Sequence, residues 1–419
     1  MGLSYSTQSN TTAFTATDRR VLFLTSIIGF VAGYAGAQMP HTLPFARTAL
    51  DLTEGQMSAA FALVRAVSLL GVLFSMSADT HGRKRPILGA FALMLIASLG
   101  TALLPTVAAY VATQALVRLC LVAIAALTVV LIAEQIQPRM RALGIGVFGL
   151  AGSLGVGLGL VLLPIAESND NAWRVLFGLP ALGLLFMPLL MRYLPESRAF
   201  VAAPRISFIK ALGMGLSRHF WPLAGISFFV AAFSSPAFDF VLERMINDLQ
   251  WDTGAARFLL IVFSGLGTVG LLVGGIAADR LGRRPTVVMA LALGLIGGVA
   301  FYGLDSGWFL AGAIFLATFG ATMLTPSFGA QRSELFPTRV RATANAWVTN
   351  AAIVGSIAGF LTGAVLIDRL GLPTTVGILS AGLVISVVLE LRLPETRGMD
   401  LVRAPGARRR TTIQVPPPG

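Results

Sequence analysis

The stretch ADTHGRKRP, residues Ala78–Pro86, breaks a long apolar run, and ADRLGRRP, residues Ala278–Pro285, does the same 200 residues later. Each places an Asp, a turn Gly and two or three cations in a very short polar link. Such a link cannot be the rim of a soluble domain, because the runs on either side are long enough to cross a bilayer. The echo predicts a chain built from two copies of one unit.

Composition agrees. The 419 residues are 55% hydrophobic and only 12% charged, with a mean hydropathy of +0.80. A soluble domain carries about 25% charged residues, so the chain is read as an integral membrane protein. The net charge of +12 would ordinarily raise nucleic acid as a partner. Here the cations sit in short links between apolar runs, so no nucleic-acid role is expected. The single Cys120 lies inside an apolar run and implies no disulfide framework. The first 17 residues lack the basic n-region and h-region of a signal peptide. Met1-Gly2 with Ser6 fits a myristoylation pattern, a match common by chance.

A spanning helix needs about 20 apolar residues. Twelve spans are expected, numbered in order: 21–41, 55–78, 86–104, 108–134, 142–164, 173–194, 221–244, 255–278, 285–303, 308–333, 343–367 and 372–393. Of the 31 Lys and Arg residues, Arg47, Arg174 and Arg369 fall in the odd-numbered links. Arg244 and Arg257 fall at helix ends facing those links, and Arg65 and Arg118 lie inside helices. All the others lie in the terminal segments and in links 2–3, 4–5, 6–7, 8–9 and 10–11, or, like Arg192, Arg332 and Arg392, at the span ends that face them. The positive-inside rule then places both termini in the cytoplasm of a plasma or inner membrane. The expected organisation is a cytoplasmic tail (1–20), a six-helix bundle (21–194), a cytoplasmic linker (195–220), a second bundle (221–393) and a tail (394–419).

The repeat extends beyond the opening stretch. Glu134 recurs as Glu334, RMRA at 139–142 as RVRA at 339–342, and Pro195-Glu196-Ser197-Arg198 as Pro394-Glu395-Thr396-Arg397. Matches in one order at one offset predict two parallel six-helix units, with a solute held between them near the midplane.

On these residues the chain resembles the major facilitator superfamily, whose loop motif has the core G-x-L-a-D-r-x-G-r-k. Gly275 through Arg284 fits with Ala277 at the Leu position; the first copy has Ser75, Ser77 and Thr80 at three motif positions. The run Glu334–Arg341, with the PESR and PETRG ends, resembles the branch of sugar porters, organic-ion carriers and aromatic-acid symporters. The resemblance implies an all-α membrane fold of twelve helices in two six-helix pseudo-repeats. It also implies a cytoplasmic gate at Asp79, Gly82, Arg83, Lys84, Glu134 and Arg141, mirrored by Asp279, Gly282, Arg283, Arg284, Glu334 and Arg341. In that gate Arg83 and Lys84 would reach Glu134 and Glu196, and the contacts would lock the outward-facing state. Topogenic charge alone is the plainer alternative.

Ionisable residues inside spans are the next signal, since they usually face a cavity or a partner. Arg65 stands 14 residues before Asp79, and Arg118 stands 16 before Glu134. At 1.5 Å per residue both lie roughly 21–24 Å from the cytoplasmic end. Arg118 resembles the fourth-helix Arg of the family's second motif; snorkelling is the alternative for Arg65. The first span has no carboxylate, only Tyr34 and Gln38 as strongly polar side chains in its outer half. Asp239 and Glu243 share a face of the seventh span, where an outer gate, a salt bridge to Arg244 or Arg257, and proton coupling are equally weighted alternatives. Asn345 and Asn350 on the eleventh complete the candidates for substrate and coupling. Glycines on the fifth, eighth and eleventh spans let backbones approach; the resemblance implies that spans 5 and 8 and spans 2 and 11 meet across the two halves, so these stripes are expected to form a sliding interface.

Gly144-x-Gly146-x-x-Gly149 matches a dinucleotide fingerprint, but no strand precedes it. With three His, one Cys and no metal-ligand spacing, no cofactor is implied and an enzyme is not expected. The reading is a monomeric secondary transporter in contact with lipid. It moves a small organic solute, an anion or carboxylate by its two buried arginines, together with protons. An exporter of drugs or metabolites is the alternative with the same fold; a sensor or enzyme fits less well.

Overall fold

The computed structural model describes residues 15–71, 82–136, 141–196, 219–305, 307–336 and 341–397. Asp79, most of the 195–220 linker and the ends of both tails lie outside these residues. In lipid every backbone N–H and C=O must be satisfied within its own segment, which leaves an apolar chain of this kind the helix. Among the described residues eleven helices are long and apolar enough to cross a membrane. They are helix 1 (Ala16–His41), helix 3 (Lys84–Leu103), helix 4 (Val107–Gln135), helix 5 (Arg141–Val161) and helix 6 (Trp173–Tyr193). In the second half they are helix 7 (Phe220–Asp239), helix 8 (Thr253–Arg280), helix 9 (Arg283–Gly303), helix 10 (Trp308–Leu335), helix 11 (Arg341–Leu370) and helix 12 (Leu372–Leu391). The remaining span, helix 2, is described as Glu54–Val67 with a 3-10 turn at Ser68–Gly71. The fold is therefore twelve transmembrane helices in two six-helix pseudo-repeats.

Local sequence sets the ends. Thr15 and Thr53 each close a capping box, with Asp18 and Gln56, so helices 1 and 2 begin with their first amides satisfied. Helix 6 tightens to 3-10 over Leu179–Phe186, beginning at Pro180, which can donate no helical hydrogen bond. Helix 7 ends earlier than its hydropathy predicts: after Asp239 the chain makes a short turn, then Val241–Glu243 and a π segment, Arg244–Asp248.

Helices 2 and 11 meet across the halves, as expected, with Gly55 against Asp368 and Gly363 against Ser58, but most of the stripe glycines join helices within a half, which corrects their expected place in a sliding interface. A Cβ on Gly155 would collide with the backbone of Phe30, and one on Gly33 with Gly152, so helices 1 and 5 touch backbone to backbone. Gly355 and Gly359 of helix 11 meet Phe228 and Ala232 of helix 7 in the same way. Gly267, Gly270 and Gly274 of helix 8 face Thr318, Phe319 and Met323 of helix 10. Only Gly363 of these looks across, to Ser58 of helix 2. Close backbone approach rigidifies each half.

The two cation-rich links also work within halves. The Glu196 carboxylate accepts the backbone N–H groups of Arg83 and Lys84 at 2.6 and 3.2 Å. Lys84 is thus engaged through its main chain, while the Arg83 side chain lies 3.6 Å from Glu134. In the second copy Glu395 accepts from the N–H groups of Arg283 and Arg284 at 2.8 and 3.0 Å. Arg283 reaches Asp279 at 2.5 Å and Glu334 at 3.2 Å, and Thr396 donates to Glu334. Arg141 and Arg341 open helices 5 and 11. Both acids sit on helix N-termini, where free amides and the dipole favour a negative charge. These bonds do not cross between halves, so they need not break when the halves separate.

Gly82 and Gly282 make the links possible, with φ of 82° and 116°. A Cβ at either would stand 2.7 Å from the Glu196 or Glu395 carboxylate. Gly282→Ala is expected to cost about 1–3 kcal/mol, because its backbone conformation is essentially restricted to glycine. Gly312→Ala, a helical site where a Cβ meets open space, should instead gain about 0.5–1 kcal/mol. Thermal unfolding of the purified variants checks both. Burial opposes the charge on Glu395, but the N–H groups of Arg283, Arg397, Arg284 and Thr396 outweigh it and hold the carboxyl below the ordinary glutamate range. Its contribution to stability is therefore present above that range and lost as pH falls through the depressed value. Unfolding of Glu395→Gln over acid pH should show that this part of the dependence has gone.

Candidate functional site

Arg118, Arg65 and Asp239 meet in one small cavity of about 60 Å³ between helices 1, 2, 4 and 7. Helix 4 presents Gln114 and Arg118, four residues apart and so on one face; helix 2 presents Phe61 and Arg65. Gln114 is absent from the sequence-based candidates, although its spacing from Arg118 was the available signal. It donates to Thr101 at 2.8 Å, which fixes its head group.

Arg65 Nη2 bonds Asp239 Oδ2 at 2.7 Å, with both side chains largely buried. Its guanidinium also lies 5.6 Å from the Phe360 ring. Arg65 is therefore paired rather than snorkelling. The expected partners of Asp239 are occupied elsewhere: Arg244 bonds Asp305 at 2.8 Å and Asp248 at 3.4 Å, and Arg257 bonds the Val161 carbonyl. Arg244 follows Glu243 directly and so projects from the other side of the helix, towards helix 9.

Arg118 differs. Its Nε is buried and has no hydrogen-bond partner among the described residues. It also lines a second, wider groove of about 440 Å³, walled by Gly29, Gly33, Gly36, Val122, Phe148 and Gly152. The cavity thus holds two guanidinium groups against one carboxylate, an excess of one positive charge.

Four expected residues fall outside it. The Tyr34 hydroxyl donates to the Leu176 carbonyl of helix 6, and Gln38 donates to the Tyr34 carbonyl of its own helix. Gln38 stands beside His41 against Gly159 of helix 5. At 100° per residue these positions face helices 5 and 6, while Ala35, Gly36 and Met39 face Arg118. Asn345 donates to Ser333 of helix 10 at 3.4 Å; neither it nor Asn350 lines the cavity.

Among the described residues, bonds between the halves cluster beyond this cavity, on the side away from the cation-rich links. Arg47, in the short helix Leu43–Ala49, bonds the fully buried Glu243 at 2.6 Å. Asp368 of helix 11 accepts from Thr53 and from the Gly55 amide at 2.6 and 2.9 Å. Ser58 donates to the Phe360 carbonyl, and Phe61 stacks on Phe360 at 5.0 Å. Arg65–Asp239 is the innermost of these contacts.

Comparisons with known proteins agree with this architecture. The family model described as Sugar (and other) transporter matches residues 11–205, and that of the Major Facilitator Superfamily matches residues 220–413. A probable 4-methylmuconolactone transporter of Cupriavidus pinatubonensis is 28% identical over 65% of this chain, and the alignment spans 65% of that protein. A galactose-proton symporter of Escherichia coli K12 is 24% identical over 91% of this chain and 92% of its own. A gallate transporter of Pseudomonas putida is 28% identical over 84% and 86%. Among solved structures, a D-xylose-proton symporter superposes with a TM-score of 0.73 at 19% identity, covering 91% of this chain and 99% of that one. The two models together take in both six-helix units, and the chain belongs to the major facilitator superfamily of membrane transporters.

Proposed function

We propose that this transporter carries a small organic anion, an aromatic or related carboxylate, by alternating access and together with protons. The observation that carries the reading is the half-buried guanidinium of Arg118, whose buried Nε has no hydrogen-bond partner among the described residues, beside the Arg65–Asp239 pair. Withdrawing a cation from water, even in part, is costly. A carboxylate offering two oxygens to a planar guanidinium removes that cost, because the fork geometries match. One monoanion brings the two arginines and Asp239 to neutrality. The groove beside Arg118 is within the range of small-molecule sites, and its glycine-rich floor suits a flat ring. The gallate transporter supports a carboxylate and the galactose-proton symporter supports proton coupling.

In this reading the cation-rich links and both termini face the cytoplasm of a plasma or inner membrane. The bonds between halves among the described residues then lie at the outer side, and the conformation described here is closed to the outside. The protein acts as a monomer in lipid, with the solute and protons as its only partners.

Removing the Arg118 charge should lower uptake of aromatic carboxylates into proteoliposomes by about tenfold or more, since a hydrogen bond to a charged group contributes about 1.5–3 kcal/mol. Arg118→Gln is the variant, and intact uptake in it would remove the anion assignment. Asp239→Asn should weaken the closed outer side by a similar amount. A cysteine at Val64 in a Cys120→Ser background should then react faster with an external, membrane-impermeant maleimide. Unchanged labelling would show that Arg65–Asp239 does not hold the outer side.

A further inference from the structure

Glu390 stands in the last turn of helix 12 and is fully buried, at 0% exposure. Its described partner is Gln331 of helix 10, whose Nε2 donates to Glu390 Oε1 at 2.6 Å. Two buried acceptors on the same pair of head groups are left over: Glu390 Oε2 and Gln331 Oε1 have no hydrogen-bond partner among the described residues. An ionised Glu390 would therefore combine an unsatisfied carboxylate oxygen, an unsatisfied amide oxygen and a charge without a bonded cation. Each of these is costly where water is excluded.

One hydrogen resolves all three. A proton on Glu390 Oε2 turns that oxygen into a donor, and the amide oxygen of Gln331 is the acceptor it lacks. The two planar groups then share two hydrogen bonds in a ring, as a carboxylic acid does with an amide. We propose that Glu390 is a proton-binding site, held as the neutral acid on Gln331 and clasping helix 12 to helix 10. The step is a simple protonation: water-borne H⁺ adds to the carboxylate, and no other bond changes.

The neighbouring charges do not supply a substitute. On helix 9, Arg284 acts on Glu390 from a distance and Arg283 is committed to Asp279 and Glu334. Glu395, beyond the end of helix 12, adds repulsion. On helix 10, Arg332 lies against the Phe328 ring and Glu334 is taken by Arg283 and Thr396. Helix 7 packs on helix 12 through Gly225 against Leu389 and Phe229 against Gly382; His219 precedes it and Asp239 lies at its far end. On helix 11, Asp368 and Arg369 lie at the far end and Arg341 opens the helix. Gln331 sits three residues before Glu334 and Glu390 five before Glu395, so the clasp braces two of the three acids that hold the second cation-rich link.

The proposal does not depend on the solute or on the direction of transport. Infrared spectroscopy of the purified full-length protein in lipid tests it through the C=O absorption of protonated carboxylic acids near neutral pH. The expected result is a protonated-carboxyl component that shifts in D₂O, disappears in Glu390→Gln and moves to higher frequency in Gln331→Leu, where the hydrogen bond is lost. A wild-type protein without such absorption overturns the proposal, as does a folded Glu390→Gln variant that keeps it unchanged. Should Glu390→Gln not fold, Gln331→Leu decides: an unmoved band overturns the assignment.

Discussion

The cost of leaving a charge without a partner where water is excluded governs where the ionisable side chains of this protein sit. Arg65 is held by Asp239 and Arg47 by Glu243, and Arg283 is shared between Asp279 and Glu334. Against that background two groups stand out because the rule is broken. Neither Arg118 nor Glu390 has an ion-pair partner among the described residues, and each also leaves a buried atom without a hydrogen bond. In the readings proposed above, an anion answers the first and a proton the second.

The same constraint separates the molecule into parts that are fixed and parts that move. Within each half, helices meet at glycines with backbone against backbone, and carboxylates cap helix N-termini at the cation-rich links. These contacts tolerate almost no displacement. Between the halves, the outer contacts are instead side-chain bonds and a stacked pair of rings. Such contacts can be exchanged for water or for a ligand's own groups, as alternation between inward and outward access requires.

Much of the site was legible in the chain. A charge inside a long apolar run is conspicuous, and counting residues along two helices placed Arg65 and Arg118 at one depth before any contact was known. What the count could not supply was azimuth. Tyr34 and Gln38 belong to the same helix as the cavity-lining Gly36 and Met39, yet they face helices 5 and 6. Asp239 was visible, but its pairing with Arg65, 174 residues away, could not be chosen over Arg244 or Arg257 without the packing of helix 7 against helix 2. Glu390 carries the same kind of signal as Arg65, an ionisable residue inside a span, but nothing in the sequence points to Gln331, 59 residues away, as its partner.

The sequence by itself determined the membrane, the twelve spans, the twofold repeat and the sign of charge on each side. These are properties of composition, length and order, which a one-dimensional pattern carries in full. Tertiary structure decided which glycines join which helices, which acid answers which cation, and which charges remain unanswered. Those depend on the rotation of each helix about its own axis and on contacts between distant segments, and the bilayer makes each such pairing matter because it offers no water in exchange.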